Sequence, residues 1–386
     1  MTLIAIDARP ATDQRRTGIG VYADALVRHL PGADPDTRFL AWYLDIRRTG
    51  TRPRRFVPRP SNLVEHATRI PTRLFGPVSA RLQMPKVEWL IGDVELLVAT
   101  NFLPPPTKHA ERCVLVVHDM AWTTLPWSAP HQDARWRGRF DRALDVCAGV
   151  IVPSAAVRDD LLATHDVAPE LIEVVHHGAE AEAFRPAPPW EVEEVRRRFG
   201  VDGSYVLFLG SLEPRKNLEN LVAAFGMLER SVALVVAGGK ARWTPDYADR
   251  VAEAIAALPD GVRDRVVLTG YVTGEDRRAL LSGAEVLAYP SLQEGFGFPV
   301  LEAFAANVPV VTSQTSSLPE VAGDAAILVD PGDPASIAAG LSQLLDDEDL
   351  RNVMRAAGTA RVATFTWERC ARGTAAVLRS ALTRVG

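Results

Sequence analysis

Cysteine is scarce in this chain of 386 residues, with Cys113, Cys147 and Cys370 standing far apart. An odd number at such spacings builds neither a disulfide framework nor a zinc site, and buried free thiols in a reducing compartment are the expectation. Long apolar runs are missing too: no stretch reaches the roughly 18 consecutive apolar residues of a transmembrane helix. The N-terminus, Met1 to Asp7, enters an apolar strand pattern directly, without the charged region, apolar core or cleavage site of a leader. A cytoplasmic protein is expected. Strong charge of one sign is the third absence, since a net formal charge of −5 gives no overall reason to expect nucleic acid. What is abundant is ordinary for a globular protein: 47% hydrophobic and 24% charged residues, at a length that lets two domains each bury a core.

Apolar runs of strand length recur along the chain, among them Leu3 to Ile6, Leu96 to Ala99, Val114 to Val117, Gly149 to Val152, Tyr205 to Leu209, Ala233 to Ala237 and Val310 to Ser313. Helical patterns alternate with them, such as Val21 to Leu30, where Val21, Ala25, Leu26 and Leu30 share a face. Strand, glycine turn and helix repeated in this way predict a doubly wound parallel sheet. Phe184 to Trp190 has the Pro-rich composition of a linker, and a second domain begins about there.

The densest chemistry lies between Tyr289 and Phe304. An apolar run, Ala284 to Ala288, leads to Glu294-Gly295-Phe296-Gly297-Phe298-Pro299, and Pro299 has the fixed φ suited to a helix start. Glu294 in the turn and Glu302 about one helical turn in can both face a ligand held over the helix N-terminus. Gly295 and Gly297 let backbone amides approach it. Local pattern alone equally fits a solvated helix start with capping acids. Upstream, Gly210-Ser211-Leu212-Glu213-Pro214-Arg215-Lys216 opens the helix from Leu218. Two cations at the positive end of a helix are electrostatically misplaced unless an anion sits there, so a bound diphosphate is expected.

Other signals are weaker. His118-Asp119 stands at the carboxyl end of a strand, where open parallel sheets bind ligands, although a histidine satisfied by backbone is the usual reading there. Gly18-x-Gly20-x-x-Ala23 matches a dinucleotide fingerprint, with Asp45 placed as the ribose acid. A dinucleotide turn leaves its strand almost at once, however, and here eleven residues separate Ile6 from Gly18. His176 and His177 invite a metal, but adjacent strand residues point to opposite faces and no third ligand is near. Between Asp45 and Lys86, ten basic residues face two acidic ones, and the stretch Leu63 to Leu82 is partly amphipathic. That segment is either a solvated basic loop or a contact for an anionic membrane or acceptor. The acidic run Asp346 to Asp349 reads as a solvated helix start.

Glu294-x7-Glu302 with Gly-Phe-Gly-Phe-Pro between, followed by Leu318-Pro319-Glu320-Val321-Ala322-Gly323-Asp324 and Val329-Asp330-Pro331, resembles group 1 retaining glycosyltransferases, the large family four. The resemblance covers nearly the whole chain and is strongest from Gly210 to Trp367. It implies the GT-B fold: two Rossmann-like, doubly wound α/β domains facing a central cleft, residues 1–185 and 186–366, with a helix over 367–386 packing back across the hinge. It also implies a metal-independent, cofactor-free hexose transfer from a nucleotide sugar to an acceptor hydroxyl. Glu302 would accept from the ribose, Arg215 and Lys216, with Gly210 and Ser211, would clamp the diphosphate, and Gly270, Tyr271 and Val272 would cover the base. Glu294, with the amides of Gly295, Phe296, Gly297 and Phe298, would hold the donor sugar. His118 and Asp119 would lie near that sugar, and the Gly18 and Gly20 loop would face the cleft. Ser211 stands where many members carry arginine, and His176-His177-Gly178 where they carry Pro-Asn-Gly. The pattern is most like bacterial mannosyltransferases, so GDP-mannose is the first donor expected, with UDP- and dTDP-sugars as alternatives. A double displacement would need a further carboxylate, with Asp7, Asp119 and Glu180 as candidates. A nicotinamide oxidoreductase and a non-catalytic sugar-nucleotide binder are the rival readings.

Overall fold

The structure, a computed structural model, describes residues 2–12, 17–45, 56, 60–125, 133–241 and 244–386. Most of the basic stretch, Arg47, Arg48, Arg52, Arg54, Arg55 and Arg59, lies outside the described residues. The chain divides into two compact units, one of Met1–Met120, Gln132–Gly178 and Thr366–Gly386, the other of Ala121–His131 and Ala179–Phe365.

The first unit is built on a parallel sheet of seven strands: β1 (Leu3–Asp7), β2 (Arg38–Leu44), β3 (Leu63–Thr68), β4 (Leu96–Ala99), β5 (Cys113–Val116), β6 (Gly149–Val152) and β7 (Ile172–Val174), in the order β3-β2-β1-β4-β5-β6-β7. The inner strands are continuous apolar runs because helices cover both faces of such a sheet, and Ile4, Ala5 and Ile6 are closed to solvent. The helix Gly18–Ala33 follows β1. Against it and β6 packs the last helix, Trp367–Val385, capped by the Thr366 hydroxyl. Gly178 is required at that contact, since a Cβ there would lie 2.4 Å from the Trp367 amide. The Leu63 to Leu82 segment is no single amphipathic element: its first residues form β3, and a separate helix, Thr72–Leu82, starts after Pro71.

The second unit holds six parallel strands: β8 (Tyr205–Leu209), β9 (Ala233–Ala237), β10 (Val266–Gly270), β11 (Val286–Tyr289), β12 (Val310–Ser313) and β13 (Ile327–Val329), in the order β10-β9-β8-β11-β12-β13. The helix Phe298–Ala305 is entered through Gly297, whose φ of 110° favours glycine. It ends at Asn307, which takes the left-handed φ of 61° that asparagine tolerates before Pro309. The acidic run caps a helix, with Asp347 Oδ1 accepting from the Leu350 amide at 2.8 Å. Among the described residues no helix is long and apolar enough to cross a membrane.

Candidate active site

In the second unit the strand order reverses between β8 and β11. Their following loops diverge there and leave a crevice at the carboxyl ends, where doubly wound sheets bind ligands. The β8 loop brings Arg215 and Lys216, and the β11 loop brings Glu294. Lys216 Nζ donates to Glu294 Oε1 at 2.6 Å and to the Tyr289 hydroxyl at 2.5 Å, and that hydroxyl donates to the same carboxylate oxygen at 2.8 Å. Arg215 donates to Glu294 Oε2 at 2.8 Å and, through Nε, to Glu213 at 2.9 Å. Ser211 donates to the other Glu213 oxygen at 2.5 Å.

The loops are tied as well as paired. The Leu292 amide donates to the Arg215 carbonyl at 2.8 Å. Asn217, left-handed at φ 61°, donates to the carbonyls of Pro290 and Pro331 at 3.0 and 2.6 Å. Ser317 bonds the carbonyls of Glu294 and Phe296 at 2.9 Å each. The Phe296 ring packs on Phe298 and Phe365, so it anchors the turn in the core.

Burial works to raise the Glu294 pKa, but the charges of Lys216 and Arg215 and the hydrogen bonds from Lys216 and Tyr289 outweigh it and hold the carboxyl at about 2. Burial and the neighbouring Arg215 lower Lys216 against the pull of its carboxylates. In Glu213 burial is likewise overcome by Arg215 and Lys216, and the carboxyl falls. The cations are thus not two surface groups awaiting an anion. Lys216 is 7% exposed, and Glu294 and Glu213 are the anions that the sequence argument assigned wholly to a ligand. Capacity remains: an ammonium has three donors and a carboxylate about four acceptor positions, so Lys216 keeps one N–H and Glu294 one lone-pair direction on Oε2.

Glu302 lies in the helix Phe298–Ala305, 13% exposed at the side chain, in ion-pair contact with Arg277. The alignment makes no hydrogen bond, and Glu302 Oε2 and Arg277 Nε are buried without one. Burial raises the Glu302 pKa against the charge of Arg277. Gly210 and Ser211 follow β8 directly. Gly238, after β9, would place a Cβ 1.7 Å from the Gly210 carbonyl oxygen, so this loop approach needs glycine. Gly270, Tyr271 and Val272 end the edge strand β10, two strands from Lys216, with Tyr271 64% exposed.

The remaining expected residues belong to the first unit. Gly18 and Gly20 form the first turn of their helix, capped by Thr17, rather than a turn preceding it, and Gly20 sits against the Pro10 carbonyl. His118 is buried past β5 and bonds the Thr100 carbonyl at 2.7 Å. A carbonyl only accepts, so Nε2 carries the proton and Nδ1 is an acceptor. Burial lowers its pKa, which keeps the ring neutral. Asp119 is half-buried beside it. Asp7 is taken by Arg9, with contacts of 2.7 and 2.6 Å. His177 lies in an aromatic column, 4.5 Å from Tyr22 and 6.3 Å from Trp367 between ring centroids, while His176 is only half-buried and diverges from it. Sequence reasoning missed Glu213, Tyr289 and Arg277. The first has a local signal, an acid two residues before a cation; Arg277 reaches Glu302 from a different helix and has none.

The family described as Glycosyl transferases group 1 matches residues 192–361. The O-antigen chain mannosyltransferase B of Escherichia coli is 30% identical over 299 residues, 75% of this chain and 76% of the relative. The MMP alpha-(1->4)-mannosyltransferase of Mycolicibacterium hassiacum is 32% identical over 261 residues, 65% of this chain and 59% of the relative. Two solved structures share the architecture. Sucrose-phosphate synthase from Thermosynechococcus elongatus has a TM-score of 0.75 at 18% identity, covering all of both chains. Anabaena HepE in complex with UDP and glucose has 0.72 at 17%, covering 98% of this chain and 100% of its own. The protein belongs to the group 1 glycosyl transferases, with their GT-B fold of two Rossmann-like parallel-sheet domains and with bacterial mannosyltransferases among its relatives.

Proposed function

We propose that the protein is a retaining transferase that moves a hexose, first of all mannose from GDP-mannose, to a hydroxyl of a glycan, lipid-linked or small-molecule acceptor. The observation that carries this reading is the Lys216, Arg215 and Glu294 cluster at the β8/β11 switch point. The third N–H of Lys216 and the guanidinium of Arg215 neutralise the diphosphate as it leaves, so that no metal is required for that step. Glu294 holds both cations in place and offers its remaining lone pair to a sugar hydroxyl. Glu302 accepts from the ribose, a role that its unbonded Oε2 supports. His118, neutral and an acceptor at Nδ1, takes a hydroxyl of the donor sugar. The leaving diphosphate serves as base for the acceptor in a front-face substitution. Asp7, wholly engaged by Arg9, is a poor nucleophile for the double-displacement alternative. The two mannosyltransferase relatives favour mannose; HepE, with UDP and glucose, favours a UDP-sugar as the alternative donor. Peripheral membrane contact through the Arg47 to Lys86 region, at the cytoplasmic face, belongs to the same reading.

The test is a thermal-shift series with GDP, UDP, dTDP, ADP and NAD, with and without chelator. A ligand at 100 times its dissociation constant stabilises by about 2.7 kcal/mol. GDP is expected to stand out, with chelator present, and to lose its effect in Glu302→Ala. The anomeric configuration of the product made from GDP-mannose, read by NMR, decides retention. A shift with NAD alone would overturn the reading and return attention to Gly18 and Asp45.

A further inference from the structure

The carboxyl edge of the first unit's sheet carries cations for which the donor chemistry has no use. Its own strand order reverses between β1 and β4, which opens the same kind of crevice there. Arg9 stands at the end of β1, locked by Asp7 and laid over the rings of Trp42 and Phe75 at 4.9 and 5.2 Å. A hydrogen-bonded row joins three neighbouring strand ends: the Thr100 hydroxyl donates to the Asp7 carbonyl at 2.6 Å, and His118 donates to the Thr100 carbonyl. The helix Ala134–Leu144 meets this row through Trp136, whose ring centroid is 5.9 Å from Phe102, itself 5.6 Å from His118.

Arg139 and Arg142 stand three residues apart on that helix and are neighbours on its surface. Arg139 is half-buried, and among the described residues it has neither ion pair nor hydrogen bond. Burial, then the charges of Arg142 and Arg9, pull its pKa below the usual arginine range, so the three cations stand close enough to feel one another. Among the described residues Asp7 is the one carboxylate bonded to any of them. Partial burial of a guanidinium without a counter-charge is unfavourable. A dianionic oxygen cluster would relieve it, and the planar fork of arginine suits phosphate.

We propose that Arg139, with Arg142 and Arg9, binds a phosphate group of the acceptor, so that the molecule receiving the sugar is phosphorylated. This rests on the transferase reading for the word acceptor. The group is either that of a water-soluble phosphate ester or that of a lipid headgroup; the recognising chemistry is the same.

Isothermal titration of the full chain with methyl phosphate tests the site, with the protein first saturated by the nucleoside diphosphate that stabilises it most. Saturation fills the second unit's own cation cluster, so further phosphate binding reads the first unit. Arg139→Gln is expected to weaken that binding about tenfold or more, and Arg142→Gln by a smaller factor. Nucleotide affinity should be unchanged in both, which also shows that they are folded. Sedimentation with phosphatidylcholine vesicles, with and without phosphatidylglycerol, separates the sources: binding that needs phosphatidylglycerol and Arg139 assigns a lipid headgroup, and methyl phosphate binding alone a soluble ester. If neither probe responds to Arg139→Gln, the proposal is overturned. If no nucleoside diphosphate binds, the transferase reading fails separately, and methyl phosphate titration of the unliganded wild type against Arg139→Gln still decides the site.

Discussion

Glu294 is the residue on which the second unit's chemistry turns, because one carboxylate answers two cations and a phenol in a buried place. Removing a single partner from such a group leaves an under-compensated charge, at a typical cost of about 3–5 kcal/mol. Arg215 remains to share the load in Lys216→Met, so the expected loss is toward the lower figure, measured by urea unfolding. The same carboxylate makes stability depend on pH. Its folded pKa of about 2 lies below the unfolded value of 4.5, so the contribution is fully present above about pH 4.5 and disappears as pH falls toward 2. On the order of 3 kcal/mol is involved. Urea unfolding between pH 5 and pH 2 should therefore show a steeper loss in the wild type than in Glu294→Gln. Equal slopes would mean that the carboxylate is not held as described.

Among the elements, the loop between β8 and the helix Leu218–Gly226 depends on Asn217 for both backbone and side chain. Its left-handed φ is a position where alanine is strained, and its amide makes two buried hydrogen bonds to carbonyls of other loops. The two effects separate in a pair of variants. Asn217→Gly keeps the backbone and loses only the hydrogen bonds, at about 1–3 kcal/mol. Asn217→Ala should cost about 1 kcal/mol more for the left-handed residue. Equal losses in chemical denaturation would show that the backbone conformation carries no strain. The elements themselves were largely legible. Tyr205–Leu209, Ala233–Ala237 and Val310–Ser313 emerge as strands with the bounds their apolar runs predict, since strands buried on both faces are continuous apolar runs. Leu63–Thr68 did not, because Glu65 and His66 break the run on an edge strand that is only half-buried. Likewise the clustering of Glu294 with Lys216 was legible as two motifs. Their direct pairing was not, since it depends on which strands become neighbours, and 78 residues separate the partners.

For the molecule as a whole, the division into two units follows space rather than sequence: the chain leaves the first unit at Gly178 and returns to it at Thr366. All three cysteines fall in that unit, each at most 6% exposed, and none in the other. Burial pushes Cys147 up to about 11 and Cys370 to about 12, and Cys113 higher still. The thiolate is the reactive species, so a disulfide reagent near neutral pH should find no reactive thiol in the native protein. In denaturant the three should appear together, reporting the first unit alone. The returning helix Trp367–Val385 is part of what hides them, since it packs on β6 and Arg384 bonds the Ala148 carbonyl at 3.0 Å, next to Cys147. A chain ended at residue 365 loses that cover and should titrate both remaining thiols without denaturant. If Cys113 and Cys147 stay silent in it, the first unit closes its core without the helix, and the return at Thr366 is not what completes that core.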